Sequence, residues 1–273
     1  MTERLEDVRR HRAVIDEIAE VVGALRAIAA AHSTEAQAAL DAILVYEGHV
    51  ASALARLAIA APIPGTEGPG LTLVVGAAQG FCGGYPARVA ETAQRLAPAG
   101  SGLLVIGQRT EAMLSEAGVT AVWSADLPAA PRFVPALASQ ATDALLELGE
   151  RFPGPIRAVS GLDAPGLEVQ TRAIWPPASR VPKAAARPAA PPLTTLPTGD
   201  LLRGLLAEAL FAEVARTIMT GLRVENRARV EAMARAQSNL KTRRTEVDQR
   251  YRQARQEQMT TEVIELSIGE QAR

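Results

Sequence analysis

Cysteine is nearly absent from this 273-residue chain, and its single instance, Cys82, excludes both an internal disulfide framework and a thiolate metal cluster. One unpaired thiol fits a reducing compartment. Aromatic residues make up only 3% of a chain that is 48% hydrophobic, and much of that hydrophobicity is alanine. Alanine-rich, aromatic-poor sequence suits helices better than a broad β core. No run of about eighteen apolar residues occurs, so no membrane-spanning helix is expected. Near the start, Arg4, Glu6, Asp7, Arg9 and Arg10 interrupt the apolar stretch that a secretory signal needs. Proline is missing from residues 1–61 and from residues 201–273. Both regions can therefore run as uninterrupted helices.

What is present in those two regions supports that reading. Val8, Ile15, Ile18, Val22, Leu25 and Ile28, then Leu40, Ile43, Leu44, Val50, Leu54 and Leu57, recur at steps of three, four and seven. The C-terminal region predicts one helix on the order of 100 Å long at ~1.5 Å per residue, too long for an ordinary domain core. Such a helix must lie against another long helix or inside a partner's cavity, and residues 1–61 supply a mate. The C-terminal seam is half apolar: Met233, Leu240 and Val247 are spaced by seven, while the companion position runs Val230, Gln237, Arg244, Tyr251. Gln237 and Arg244 mean either a wet interface touching several surfaces or polar layers that set the register of a coiled coil.

Between the helices, β-branched runs at 71–76, 102–107, 120–123, 156–160 and 167–175 alternate with helical stretches at 86–96, 109–116 and 133–151. That rhythm predicts a parallel or mixed sheet covered by helices. The expected organisation is an N-terminal coiled-coil helix at 1–61, an α/β domain at 70–175, a proline-rich linker at 176–197 and a C-terminal coiled-coil helix at 198–273. Thr198 or Asp200 can cap the start of the last helix.

The formal net charge of −1 hides a local imbalance, because residues 223–257 carry ten basic and five acidic side chains. A basic helix meets solvent, an acidic protein or nucleic acid. Nucleic acid is the least favoured of these, since neither zinc-finger spacing nor an RNP-like aromatic pattern is present. The glycine-rich stretch Gly76-Ala77-Ala78-Gln79-Gly80-Phe81-Cys82-Gly83-Gly84 lies where a phosphate-binding loop would lie, after a strand and before a helix. It lacks the Lys-Ser/Thr of a Walker loop and does not give Gly-x-Gly-x-x-Gly. A tight turn is the simpler explanation, and Cys82 reads as a small buried side chain rather than a nucleophile. His11, His32 and His49 lack the i, i+4 spacing of a helical metal site. No catalytic residue, metal or cofactor is expected.

Specific residues at both ends and in the middle carry a resemblance. The N-terminal run from Asp7-Val8-Arg9-Arg10 through Ala24-Leu25-Arg26-Ala27-Ile28 is one part, and the loop Gly80-Phe81-Cys82-Gly83-Gly84-Tyr85 is another. The most specific part is Glu225-Asn226, Met233, Asn239, Tyr251, Arg255-Gln256, Met259-Thr260, Glu262, Ile264-Glu265 and Gly269. Together these resemble the gamma subunit of rotary, F-type ATP synthases. The resemblance implies a fold in which long terminal helices form an antiparallel coiled coil beside a central Rossmann-like α/β domain. It implies the central-stalk rotor, which couples ion flow through the membrane c ring to ATP synthesis or hydrolysis at the alpha/beta hexamer without an active site of its own.

Implied partners are three alpha and three beta subunits, the epsilon subunit and the c ring, with no nucleic acid and only peripheral contact with the cytoplasmic face of the inner (plasma) membrane. Carried over position by position, Arg255, Gln256 and Thr260 match the group that touches the beta-subunit catch loops. Glu262, Ile264 and Gly269 match the bearing tip. Gly80, Cys82, Gly83 and Tyr85 match the foot near the c ring or its accessory subunit. The chain departs from the family pattern at Val21-Val22-Gly23, at Ala77-Ala78-Gln79 and at Pro86, which suggests a specialised ion-pumping variant. The competing reading is a small-molecule-binding α/β domain with a dimerising coiled coil.

Overall fold

A computed structural model describes residues 5–57, 68–96, 100–164, 166–176 and 193–271, with side chains through Ile264. Most of the proline-rich stretch expected as a linker lies outside the described residues. Two helices dominate, α1 over Leu5–Arg56 and α5 over Thr198–Gln271. Neither helix contains proline, and α5 starts at the Thr198 that follows Pro197, the last proline of the sequence. The chain divides into two compact units, Ala29–Arg229 and Met1–Ile28 with Val230–Arg273.

The larger unit is built on a five-stranded sheet. Its strands are β1 (Leu71–Val75), β2 (Gly102–Ile106), β3 (Trp123–Ala125), β4 (Ile156–Gly161) and β5 (Val169–Trp175), in the spatial order β3-β2-β1-β4-β5. The first four strands in chain order are mutually parallel where they pair, and β5 returns antiparallel to β4. Strands β1 and β2 are buried along their whole length, which explains why they read as continuous apolar runs rather than alternating ones. The third strand lies later than the apolar run 120–123 suggests. Pairing decides the matter, because Leu104, Val105 and Ile106 align with Trp123, Ser124 and Ala125.

Helices α2 (Tyr85–Leu96), α3 (Gln108–Glu116) and α4 (Val134–Leu148) connect the strands. One apolar core joins Leu71, Leu73, Val75, Leu104 and Ile106 of the sheet to Val134, Ala138 and Leu145 of α4. The same core takes in Ala36 and Leu40 of α1 and Leu210, Val214, Ile218 and Leu222 of α5. The stretches 29–56 and 198–229 of the long helices thus belong to the larger unit, which they enter through these buried residues. A second core, with Val74, Val89, Val105, Val159 and Val224, fills the other side of the sheet. Between α1, α5 and β5, Arg216 bridges Glu47 at 2.8 Å and Glu213 at 2.7 Å, and Glu213 also meets Arg172 at 2.8 Å.

In the smaller unit, α1 and α5 run antiparallel. Val8 and Ile15 pack with Leu240, Val247 and Tyr251. Polar side chains cross the same seam: Arg12 meets Asp248 at 3.1 Å, Arg244 meets Asp16 at 2.9 Å, and Arg26 donates to Gln237 at 2.8 Å. The two polar positions of the heptad therefore have partners within the chain. Of the two readings of the half-apolar seam, register-setting layers are the ones that the side-chain pairing fits.

Candidate functional site

The glycine-rich loop leaves β1 under tight constraint. A Cβ on Gly76 would lie 2.1 Å from Thr110 Oγ1, so only glycine lets the backbone pass α3 there. Thr110 Oγ1 accepts from the Ala77 amide at 2.9 Å, and the Arg109 and Thr110 amides donate back to the Ala77 carbonyl at 3.1 and 3.3 Å. The next two amides, Ala78 and Gln79, each donate to the Glu225 carboxylate of α5 at 3.2 Å. These are amides of the kind that a phosphate would need at this place in an α/β fold. A carboxylate from the same chain occupies them, which gives a physical reason why the sequence fits neither phosphate-loop pattern.

Glu225 does not act alone. Arg229, one helical turn on, pairs with Glu225, donates to Asn226 Oδ1 at 3.1 Å and donates to the Gly80 carbonyl at 3.4 Å. Asn226 in turn donates to the Leu222 carbonyl at 2.9 Å. Beyond the clamp, the Cys82 thiol donates to the Gln79 carbonyl at 3.3 Å, and Phe81 takes a left-handed φ of 63° with its ring 71% exposed. Such backbone conformations persist only where surrounding bonds hold them.

Of the four loop residues singled out from the sequence, Cys82 and Tyr85 are buried, while Gly80 is half-buried and Gly83 exposed. Burial, with the nearby Glu225 charge, pushes the Cys82 thiol up to about 11. It stays protonated at neutral pH, so its role is packing and hydrogen bonding rather than nucleophilic attack. Burial, followed by Glu225, also raises Tyr85 well above the phenol range. The Tyr85 hydroxyl is buried without a hydrogen-bond partner among the described residues. Gly161 faces it closely, since a Cβ there would lie 2.9 Å from the hydroxyl and 2.4 Å from Val224 Cγ1.

A second tie binds α5 to the loop after β4. Asp163 takes ion pairs from both Arg223 and Arg227. Burial, and then the neighbouring Arg227 charge, lower the Arg223 guanidinium pKa. The basic stretch of the C-terminal helix is thus partly spoken for, because Arg223, Arg227, Arg229 and Arg244 all have acidic partners in the chain. Sequence reasoning did not single out Asp163, or the Glu225–Arg229 pair as a clamp. The available signal was Glu225 and Asn226 within a stripe that is otherwise apolar, between Leu222 and Ala228.

Arg255, Gln256, Thr260, Glu262 and Ile264 all lie exposed on the distal part of α5. Arg255, Gln256 and Thr260 share one helix face with Arg252, Met259 and Val263. Their internal bonds are local: Thr260 donates to the Gln256 carbonyl at 2.9 Å and Gln258 to Glu262 at 2.8 Å. Arg255 has no ion-pair partner among the described residues. Met259, Val263 and Ile264 are 57%, 63% and 51% exposed, which concentrates apolar surface on this part of α5. Gly269 lies farther along α5, beyond the described side chains.

A family model described as ATP synthase matches residues 4–272. The chain belongs to the ATP synthase gamma-subunit family. Its part in the complex is that of the rotor, or central stalk. No curated protein matches the sequence. Similar solved structures include a chain of the Euglena gracilis mitochondrial ATP synthase rotor in rotational state 1, at 13% identity and TM-score 0.61, covering 93% of this chain and 98% of that one. A chain of the OSCP/F1/c-ring of the same enzyme in rotational state 3 matches at 13% identity and TM-score 0.64, covering 98% and 94%. A chain of the central stalk and c-ring of the Tetrahymena thermophila mitochondrial ATP synthase matches at 14% identity and TM-score 0.54, covering 79% and 99%. At such identity the likeness speaks for the shared fold.

Proposed function

We propose that this gamma subunit works as a single copy within a head of three alpha and three beta subunits. Epsilon and the c ring are its further partners, at the cytoplasmic face of the inner (plasma) membrane. No described helix is long and apolar enough to cross a membrane, which fits a peripheral position. In this reading the functional parts are coiled-coil helices at 1–61 and 198–273, an α/β domain at 70–175 and a linker at 176–197. The chain transmits motion and leaves ATP chemistry to its partners.

In this reading Arg255, Gln256 and Thr260 meet the beta-subunit catch loops, and Glu262, Ile264 and Gly269 form the bearing tip. The carrying observation is the exposed α5 face, where Arg255 has no ion-pair partner among the described residues and stands beside the apolar Met259 and Val263. An exposed guanidinium makes charge-assisted bonds to carboxylates that are strong enough to transmit force and exposed enough to break on every turn. Gly80 and Gly83 belong to the foot near the c ring or accessory subunit, with Cys82 and Tyr85 supporting the loop from beneath.

The test is the mass and composition of the complex purified with a tagged chain under mild conditions. One copy with three each of two larger subunits, and ATPase activity, is the expected result. A homodimer free of such partners would overturn it.

A further inference from the structure

The stretch of α5 from Leu222 to Arg229 lies over the sheet, yet three of its buried side chains are polar: Glu225 is 1% exposed, Asn226 2% and Arg229 9%. An ion pair held out of water adds little stability over well-packed apolar residues, and its best-attested use is to fix one register among several. Apolar contact is non-directional, whereas hydrogen bonds weaken steeply when rotated out of line. Here the directional bonds concentrate on two loops. Glu225 holds Ala78 and Gln79, Arg229 holds Gly80, and Asp163 takes Arg223 and Arg227. The α5 backbone is also seated closely, since a Cβ on Gly221 would lie 2.4 Å from Val75 Cγ1.

The location adds meaning to this chemistry. The chain passes between its two units at only two places, Ile28/Ala29 in α1 and Arg229/Val230 in α5. Beside the first, the larger unit holds α1 through buried Ala29, Ala36 and Leu40. At the second, its last residue is Arg229 itself. Other directional ties lie earlier on α5, where Glu213 meets Arg172 and Arg216 meets Glu47, so the Glu225–Arg229 turn is the last such tie before the chain leaves the larger unit.

We propose that Glu225, together with Arg229, is a positioning pair that fixes the rotational register of α5 on the sheet and so sets how stiffly that helix resists twisting within the larger unit. This rests on the rotor function above. The pair touches neither nucleotide nor ion; it keeps angular displacement of α5 from being absorbed by the loop at 78–80.

The experiment uses the assembled complex, with the head immobilised and a bead attached to the α/β domain, and records the bead's angular spread within each dwell during ATP hydrolysis. The double variant Glu225→Gln/Arg229→Gln keeps shape and hydrogen-bonding groups but removes both charges. Arg229→Lys, which keeps charge but loses the planar fork, replaces it if the double variant does not assemble. The comparator is Leu137→Ala in α4, which weakens the core without touching α5's polar bonds.

The expected result is an angular spread about twofold wider in the clamp variant, at unchanged ATP turnover, with no widening in the comparator. A spread equal to that of the unaltered complex, or equal widening in the comparator, would overturn the proposal. Failure of the unaltered complex to contain head subunits or to rotate would instead overturn the rotor reading and the clamp with it, so the two failures are distinguishable.

Discussion

Gln237 of α5 accepts a hydrogen bond from Arg26 of α1 at 2.8 Å, and its Nε2 lies 3.4 Å from where a Cβ on Gly23 would stand. The glycine leaves room without creating a clash. Alanine fits there in ordinary contact, and a helix interior favours alanine over glycine by about 0.5–1 kcal/mol. Gly23→Ala is expected to raise unfolding stability by about that amount. Chemical denaturation of the full chain checks it, and a loss of stability would show that Gln237 leaves no room for a methyl at this seam.

The exposed end of α5 makes the opposite kind of prediction. Replacing Arg255 and Gln256 together with alanine removes no buried contact, so the thermal midpoint should move little. ATP turnover of the assembled complex should nevertheless fall by about tenfold, the loss of a charge-assisted contact in the working cycle. Unchanged turnover in a correctly assembled complex would remove these two residues from the contact face.

Tyr85 and Gly161 give a paired test of packing. Tyr85→Phe removes a buried hydroxyl that has no partner among the described residues, so stability should be equal or higher by up to ~1 kcal/mol. Gly161→Ala would place a methyl 2.4 Å from Val224 Cγ1 and 2.9 Å from the Tyr85 ring. Overpacking of this sort costs about 1–3 kcal/mol. Denaturation midpoints of the two variants should therefore move apart, and a Gly161→Ala chain as stable as the parent would refute the packing seen here.

Cys82 makes stability depend on alkaline pH. Its folded value of about 11 lies above the ordinary 9.0, so the folded chain keeps the proton while the unfolded chain loses it. The stabilisation is complete below about pH 9 and is lost as pH rises towards 11. Tyr85, shifted upward as well, acts in the same direction at higher pH. Stability should decline from pH 9 upward, and Cys82→Ala should flatten the first part of that decline. An identical pH slope in the variant would count against the buried thiol as its source.

The long helices were legible because they depend on local information. Absence of proline and a repeated apolar step determine α1 and α5 whatever they pack against. Fully buried strands β1 and β2 were legible as apolar runs for a similar reason. The third strand was displaced because it has only three residues, and its place follows from pairing with Leu104–Ile106, a relation between distant segments.

The clamp was less visible for the same physical reason. Glu225 and Arg229 read as ordinary i, i+4 charges on a basic helix, a pattern usually found in solvent. Only the arrival of the 78–80 loop on that helix turns them into buried partners. Conversely, the exposed Arg255 face was visible through its resemblance to a known pattern, since Arg255 has no ion pair among the described residues that would distinguish it.

The internal carboxylate also imposes an order on biosynthesis. Ala78 and the glutamate that receives its amide are 147 positions apart, so the ribosome delivers the glycine-rich loop long before the residue that closes it. The nascent sheet must wait with its core incomplete and two amides facing water until α5 emerges. Completion of the domain therefore waits for α5 to be synthesised, and a product truncated before Glu225 would leave apolar surface exposed, in the form that chaperones and proteases recognise.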